Sequence, residues 1–408
     1  MTRLSTWTML ALLLGGAQGQ QAKFVYVSSY SGKITTLALN GLESMGNRTR
    51  AQNNSTVAQL QRVDETEGCG TSPSFLTLDA QRRTVFCVNE DFAGGQGSLG
   101  VFETGCNGRL RAQSQVESGA GPVFSALFAK DQGLVVANFA GSSISTFDVS
   151  SPWQPKLLAT QAFTLDKPGP VPDRQPAPRP HQAVVDPTGR FLAVPDLGAD
   201  VVRLFVLDEA KELRPVGHVA VKPGSGPRHL AFVDLGHGTF MYLVNELSST
   251  IDGFRVTYQG QQAIQMEPIF SMPSHGQNEG AKSSNVFASE IVVSPDKRFA
   301  IVSSRNESAL SIPNFDASNS TQIVSDPLIN FRINPQSGAL NLVQDNIPAG
   351  GRFPRHFSLS RDGSLLAVGL QHDSRVAFIH RDATSGKIGN FVAYAHVAGQ
   401  VTSVIFDE

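Results

Sequence analysis

One motif recurs along this chain and narrows its possible folds. An alternating strand leads into a turn with Asp, Gly or Pro. A strongly apolar strand follows and ends in Asn, Asp or Arg with a polar tail. A third strand then alternates again. The first complete copy is Pro73–Asp79, Thr84–Glu90 and Leu99–Glu103, and further copies begin near Pro122, Pro180, Pro227, Ala288 and Pro354. Their starts lie 47 to 66 residues apart, the spacing of four-stranded propeller blades with loops of unequal length. The apolar runs, such as Phe191–Val194 and Met241–Val244, read as strands covered on both faces, and the alternating runs as strands wet on one. Pro187-Thr188-Gly189, Pro295-Asp296-Lys297 and Arg361-Asp362-Gly363 supply turn residues between them. No long stripe of period 3.6 competes, so little helix is expected.

Six copies are complete and two fragments remain. Phe24–Ser29 with Ile34–Leu39 lacks a first strand, and Val401–Phe406 is a lone strand at the end. Together they make a seventh blade. The expected fold is therefore all-β: a seven-bladed β-propeller whose C-terminal strand pairs with the N-terminal strands and closes the ring, leaving no long sheet edge exposed. One domain covers residues 20–408. Two segments break the repeat: polar Gly46 to Cys69 reads as an exposed insertion, and Pro-rich Lys167 to Pro180 as a stiff loop near the funnel mouth.

Residues 1–19 read as a signal peptide. Arg3 precedes the apolar run Trp7–Leu14, and Gly15-Gly16-Ala17-Gln18-Gly19 offers small residues for cleavage after Gly19. The run is far short of the ~20 residues that span a bilayer. Asn-x-Ser/Thr acceptors at Asn47, Asn53, Asn54, Asn306 and Asn319 agree with an extracellular, glycosylated product. Three cysteines, Cys69, Cys87 and Cys106, permit one disulfide and one free thiol without fixing the pair. A formal net charge of -2 gives no basic excess for nucleic acid. No membrane partner is expected, and a closed ring makes monomer the default. Gly95-Gln96-Gly97-Ser98-Leu99-Gly100 has dinucleotide-loop spacing, but it joins two strands and opens no helix, so it reads as a hairpin loop. No metal-binding spacing and no acidic cluster for calcium is present, and no cofactor is expected.

The blades also carry a family resemblance. Pro180–Phe191, Val194–Asp200, Gly224–Phe232, Val244–Thr250, Ser289–Asp296 with Ser303-Ser304-Arg305, and Phe353–Phe357 resemble the lactonase β-propeller family. That family holds bacterial 6-phosphogluconolactonase and fungal carboxymuconate cyclase, and the likeness runs from about Lys23 to Glu408. It implies a catalytic set of His181, Arg228, Glu246 and Arg305. Two guanidiniums would clamp a substrate carboxylate or phosphate and offset developing negative charge. His181 would serve as general acid/base and Glu246 as base or orienter. His229, Glu290, Arg355 and His356 are further substrate-binding candidates at the funnel rim. Two positions depart from the family: Arg179 replaces a frequent His, and Val123-Phe124 replaces a polar pair.

Three functions fit this reading. The first is a secreted hydrolase of a small anionic lactone. The second is an intramolecular lyase that forms or opens a muconolactone. The third is a non-catalytic secreted propeller acting as a binding protein or wall antigen.

Overall fold

The computed structural model describes residues 23–40, 42, 57–208, 210–276 and 285–408. The signal-peptide reading of residues 1–19 and the acceptors Asn47, Asn53 and Asn54 lie outside them. The described chain is strand and turn except for a short 3-10 turn at Gln371–Asp373.

Seven antiparallel sheets follow one another around an axis. Blade 1 is split as expected. Its order, from the axis outward, is Val401–Phe406, Phe24–Ser29, Ile34–Ala38 and Arg62–Thr66. Val25 faces Phe406 and Val27 faces Val404 in the closing ladder. Blades 2 to 7 begin at Pro73, Pro122, Val184, Pro227, Phe287 and Pro354, each with its innermost strand. The inner strand of blade 7 packs beside Val401–Phe406, which packs beside that of blade 2, so the ring is continuous.

The core consists of seven apolar seams, one between each pair of neighbouring blades. This explains the unbroken apolar runs. In Thr84–Asn89, Val85 and Cys87 enter the seam with blade 1, while Phe86 and Val88 enter the seam with blade 3. A strand's side chains alternate in direction, so one clamped between two blades needs apolar residues at successive positions.

The polar segment before Cys69 differs from the expectation. Arg62–Thr66 is the outer strand of blade 1, and Ala58–Gln59 adds a short parallel fifth strand to blade 7. Outer strands are wet on one side and need few apolar residues, so composition alone did not mark them as strands. The segment ends at buried Cys69, which is disulfide-bonded to Cys87, while Cys106 is free and exposed. The bridge ties the connection leaving blade 1 to the second strand of blade 2 across 18 residues. A loop of that size contributes about 3 kcal/mol by restricting the unfolded chain. The double variant Cys69→Ala/Cys87→Ala should unfold at lower urea by a corresponding amount, and an unchanged midpoint would refute this role.

One irregularity recurs in every inner strand. Pro73 faces Asn89 and Phe75 faces Val88, so Ser74 is an extra residue. Val123, Arg228, Arg355 and Thr402 occupy the same position in blades 3, 5, 7 and 1. In blade 6 Ser289 and Glu290 together oppose Ser303. In blade 4 four steps from Pro180 to Val184 match three from Asp196 to Ala193. These β-bulges re-aim side chains beside the axis.

Candidate active site

The bulges and the polar ends of the second strands assemble one site. Arg228 comes from the bulge of blade 5, and Glu246 follows that blade's second strand, Thr239–Asn245. Just before Arg228 the chain turns tightly. Glu246 N–H donates to Gly226 O at 2.7 Å, and the Asp200 carboxylate accepts from Gly224 N and Gly226 N at 2.7 and 2.8 Å. Gly226 has φ +66°, and a Cβ there would lie 2.5 Å from Leu247 Cγ, so the turn requires glycine. Arg305 ends the second strand of blade 6, Phe299–Arg305. Buried Asp326 pins the following loop by accepting from the backbone N–H groups of Asn306, Glu307 and Ser308.

Three guanidiniums converge on one carboxylate. Glu246 Oε2 lies 2.9 Å from Arg228 Nε and 2.8 Å from Arg305 Nη2. Glu246 Oε1 accepts from Arg174, which the Pro-rich loop brings over the funnel. Sequence reasoning placed that loop at the mouth but missed Arg174, which belongs to no strand pattern. Arg305 Nε is buried without a hydrogen-bond partner among the described residues. Burial alone would raise the Glu246 pKa, but Arg305, Arg228 and Arg174 outweigh it and lower it from 4.5 to about 2. Glu246 is thus a poor proton acceptor and a strong orienter of guanidiniums. Burial and Arg305 lower Arg228 to about 9 despite Glu246, so the cluster holds more cation than its carboxylate neutralises.

The imidazoles lie alongside. His181 and His229 have ring centroids 5.0 Å apart. Both pKa values fall well below 6.5, through burial first and then the Arg228 charge, so both rings are neutral. His181 Nδ1 and His229 Nε2 are buried without a hydrogen-bond partner among the described residues. His229 Nδ1 lies 2.9 and 3.0 Å from the two oxygens of Glu290. Burial raises the Glu290 carboxyl pKa, opposed by His356 and Arg228. His356 Nε2 is 3.7 Å from Glu290, and its Nδ1 accepts from Val404 N–H at 3.1 Å. Burial lowers His356 to about 4.

Arg355 points to a neighbouring group. Its Nη1 donates to Tyr30 Oη at 2.5 Å and its Nη2 to Glu90 at 3.0 Å, and Tyr30 Oη donates to Glu90 at 2.9 Å. Neither Tyr30 nor Glu90 was among the candidates read from sequence. The two departures from the family pattern are also explained. Arg179 turns away and donates to the carbonyls of Phe139 and Ala140, both at 3.0 Å. Phe124 packs against Phe75 at 4.1 Å between centroids and meets the His229 ring edge-on at 5.5 Å. The wall beside the imidazoles is therefore apolar on one side and cationic on the other. Asn306 and Asn319 are exposed in loops of blade 6.

This arrangement can bind a small anion, stabilise an oxyanion and exchange a proton through a neutral imidazole. Comparisons with known proteins place the chain in a family. A family model described as "Lactonase, 7-bladed beta-propeller" matches residues 25–406. A protein of Arthroderma benhamiae named "Probable 6-phosphogluconolactonase" is 26% identical over 321 residues, covering 78% of this chain and 76% of its own length. The 6-phosphogluconolactonase of Formosa agariphila is 25% identical over 341 residues, covering 82% and 88%. The solved Pseudomonas aeruginosa periplasmic gluconolactonase superposes with a TM-score of 0.74 at 26% identity, covering 94% of this chain and 98% of that one.

Proposed function

Because the chain belongs to the lactonase family of seven-bladed β-propellers, we propose that its funnel hydrolyses a small lactone bearing a carboxylate or phosphate. The observation that carries this reading is the pair Arg228 and Arg305, buried beside neutral imidazoles, with Arg305 Nε left without a hydrogen-bond partner among the described residues. A buried donor without a partner is costly unless a ligand or water completes it. A substrate anion does so, and the same guanidiniums face charge that develops on the carbonyl oxygen. Glu246 and Arg174 hold the pair in place. His181 lies within the same group and is suited to hydrogen-bond the substrate beside the guanidiniums. Relatives named 6-phosphogluconolactonase support an anionic sugar lactone as the substrate class. We place the enzyme outside the cell, a reading supported by the signal-like N-terminus, the Cys69–Cys87 disulfide and the exposed acceptors Asn306 and Asn319.

The test is turnover on neutral, carboxylated and phosphorylated lactones in water enriched in heavy oxygen. Wild type should open an anionic lactone and incorporate one labelled oxygen. Arg305→Ala should lower kcat/KM by about 10²- to 10³-fold. No turnover across the panel, with anion binding retained, would replace hydrolysis by the binding-protein reading. Closure of a carboxylated muconate without label uptake would replace it by the lyase reading.

A further inference from the structure

We infer that His229, oriented by Glu290, is the general base that activates water in this site. The inference rests on the hydrolytic reading above and adds a base to it. Four observations lead there.

The first is the pairing. His229 Nδ1 faces both Glu290 oxygens at 2.9 and 3.0 Å, and Ile291 N–H donates to the same carboxylate at 3.0 Å. The assignment takes Glu290 as the carboxylate, which can only accept, so that the ring proton sits on Nδ1 and the Nε2 lone pair is free. The second is that this Nε2 is buried and without a hydrogen-bond partner among the described residues. A buried lone pair left unpaired in this way marks a place for a water or a substrate proton. The third is location. Arg228 is the neighbouring residue on the same bulge, with its guanidinium on Glu246, and the His181 ring is 5.0 Å from that of His229. The fourth is the comparison with the other candidates. Glu246 is bound to three guanidiniums, and His181 Nδ1 has no acceptor among the described residues to fix its tautomer. His356 Nδ1 is occupied by Val404 N–H. Of these groups only His229 combines a carboxylate orienter with an open nitrogen.

The step balances as follows. Water oxygen forms a bond to the lactone carbonyl carbon as His229 Nε2 takes one water proton. The carbonyl oxygen becomes an oxyanion beside the guanidiniums. Collapse breaks the bond from the carbonyl carbon to the ring oxygen, which recovers the proton from the imidazolium. The product is a hydroxy acid, which ionises. In this step Glu290 acts only through His229 and is a positioning residue.

Three measurements test the assignment on the full chain. Long-range 15N–1H NMR of the wild-type histidines should show His229 protonated at Nδ1, and a proton on Nε2 would overturn the assignment. With the lactone best turned over by wild type, His229→Gln should lose about 10³-fold in kcat with KM changed less than threefold. Glu290→Gln should lose at least about 10²-fold in kcat and shift the acid limb of its pH profile to lower pH. The shift follows because the Glu290 carboxylate no longer favours the imidazolium, while Arg228, Arg305, Arg355, His181 and His356 still face the ring and Glu246 remains the anion that favours its charge. Wild-type kcat in either variant, or an unmoved acid limb, would sink the dyad while leaving lactone hydrolysis intact. If wild type opens no lactone, the functional reading fails and the NMR result still decides the tautomer.

Discussion

A chain ending at Gln400 is expected to lose cooperative unfolding. The missing strand, Val401–Phe406, is the axial strand of blade 1 and pairs along its length with Phe24–Ser29. Val401, Val404 and Phe406 are buried in the seam between blades 7 and 1. Thr402 Oγ1 donates to Pro73 O at 2.8 Å, and Val404 N–H reaches His356. Burying three such side chains contributes roughly 5 to 9 kcal/mol, comparable to the whole stability of a typical domain. Loss of the strand also exposes the edge of Phe24–Ser29 to pairing with other chains. Circular dichroism during heating should show a broad, early transition with aggregation. A sharp transition within a few degrees of the full-length protein would show that the ring does not depend on this closure.

Glu246→Gln should cost stability on the order of 3 kcal/mol at neutral pH, and added inorganic phosphate should recover much of it. The variant leaves Arg174, Arg228 and Arg305 together without their anion. Breaking a buried ion network by removing one partner costs more than the network's net worth, because the remaining charges stay desolvated. A bound anion replaces the carboxylate and stabilises the native state by mass action. The pH dependence has a definite sign. Glu246 is lowered from 4.5 to about 2 in the native protein, so its contribution is complete above pH 4.5 and is lost as pH falls toward 2. The gap between wild type and variant should close over that window. An unchanged denaturation midpoint in the variant, or one insensitive to phosphate, would contradict this account.

Much of the fold was legible because the seams impose a period that sequence displays directly. Strands buried on both faces must be apolar throughout, as in Phe299–Val302, and the fragments at the two ends could only be completed by each other. Outer strands carry no such constraint, so Arg62–Thr66 and Ala58–Gln59 passed as loop. The candidate set also came together, with His181, Arg228, Glu246 and Arg305 in one group. What sequence could not convey was environment. Glu246 looks like a base until three cations are seen around it, and His229 looks secondary until Glu290 is found on its Nδ1. Arg174 enters through a loop whose path depends on tertiary packing. The Cys69–Cys87 pair likewise followed from the path of the connection leaving blade 1, which spacing alone does not give.

The extra residue in each inner strand has a further consequence for how such a scaffold changes its chemistry. A residue outside the ladder has no cross-strand neighbour whose register it must respect, so the seams and the axial positions are separate problems for selection. Ser74, Val123 and Thr402 hold small or apolar side chains where Arg228 and Arg355 hold cations, on the same backbone device. The ring is in effect a turret of interchangeable stations. New substrates can be accommodated by exchanging one station at a time while the barrel of seams that carries the stability is left alone.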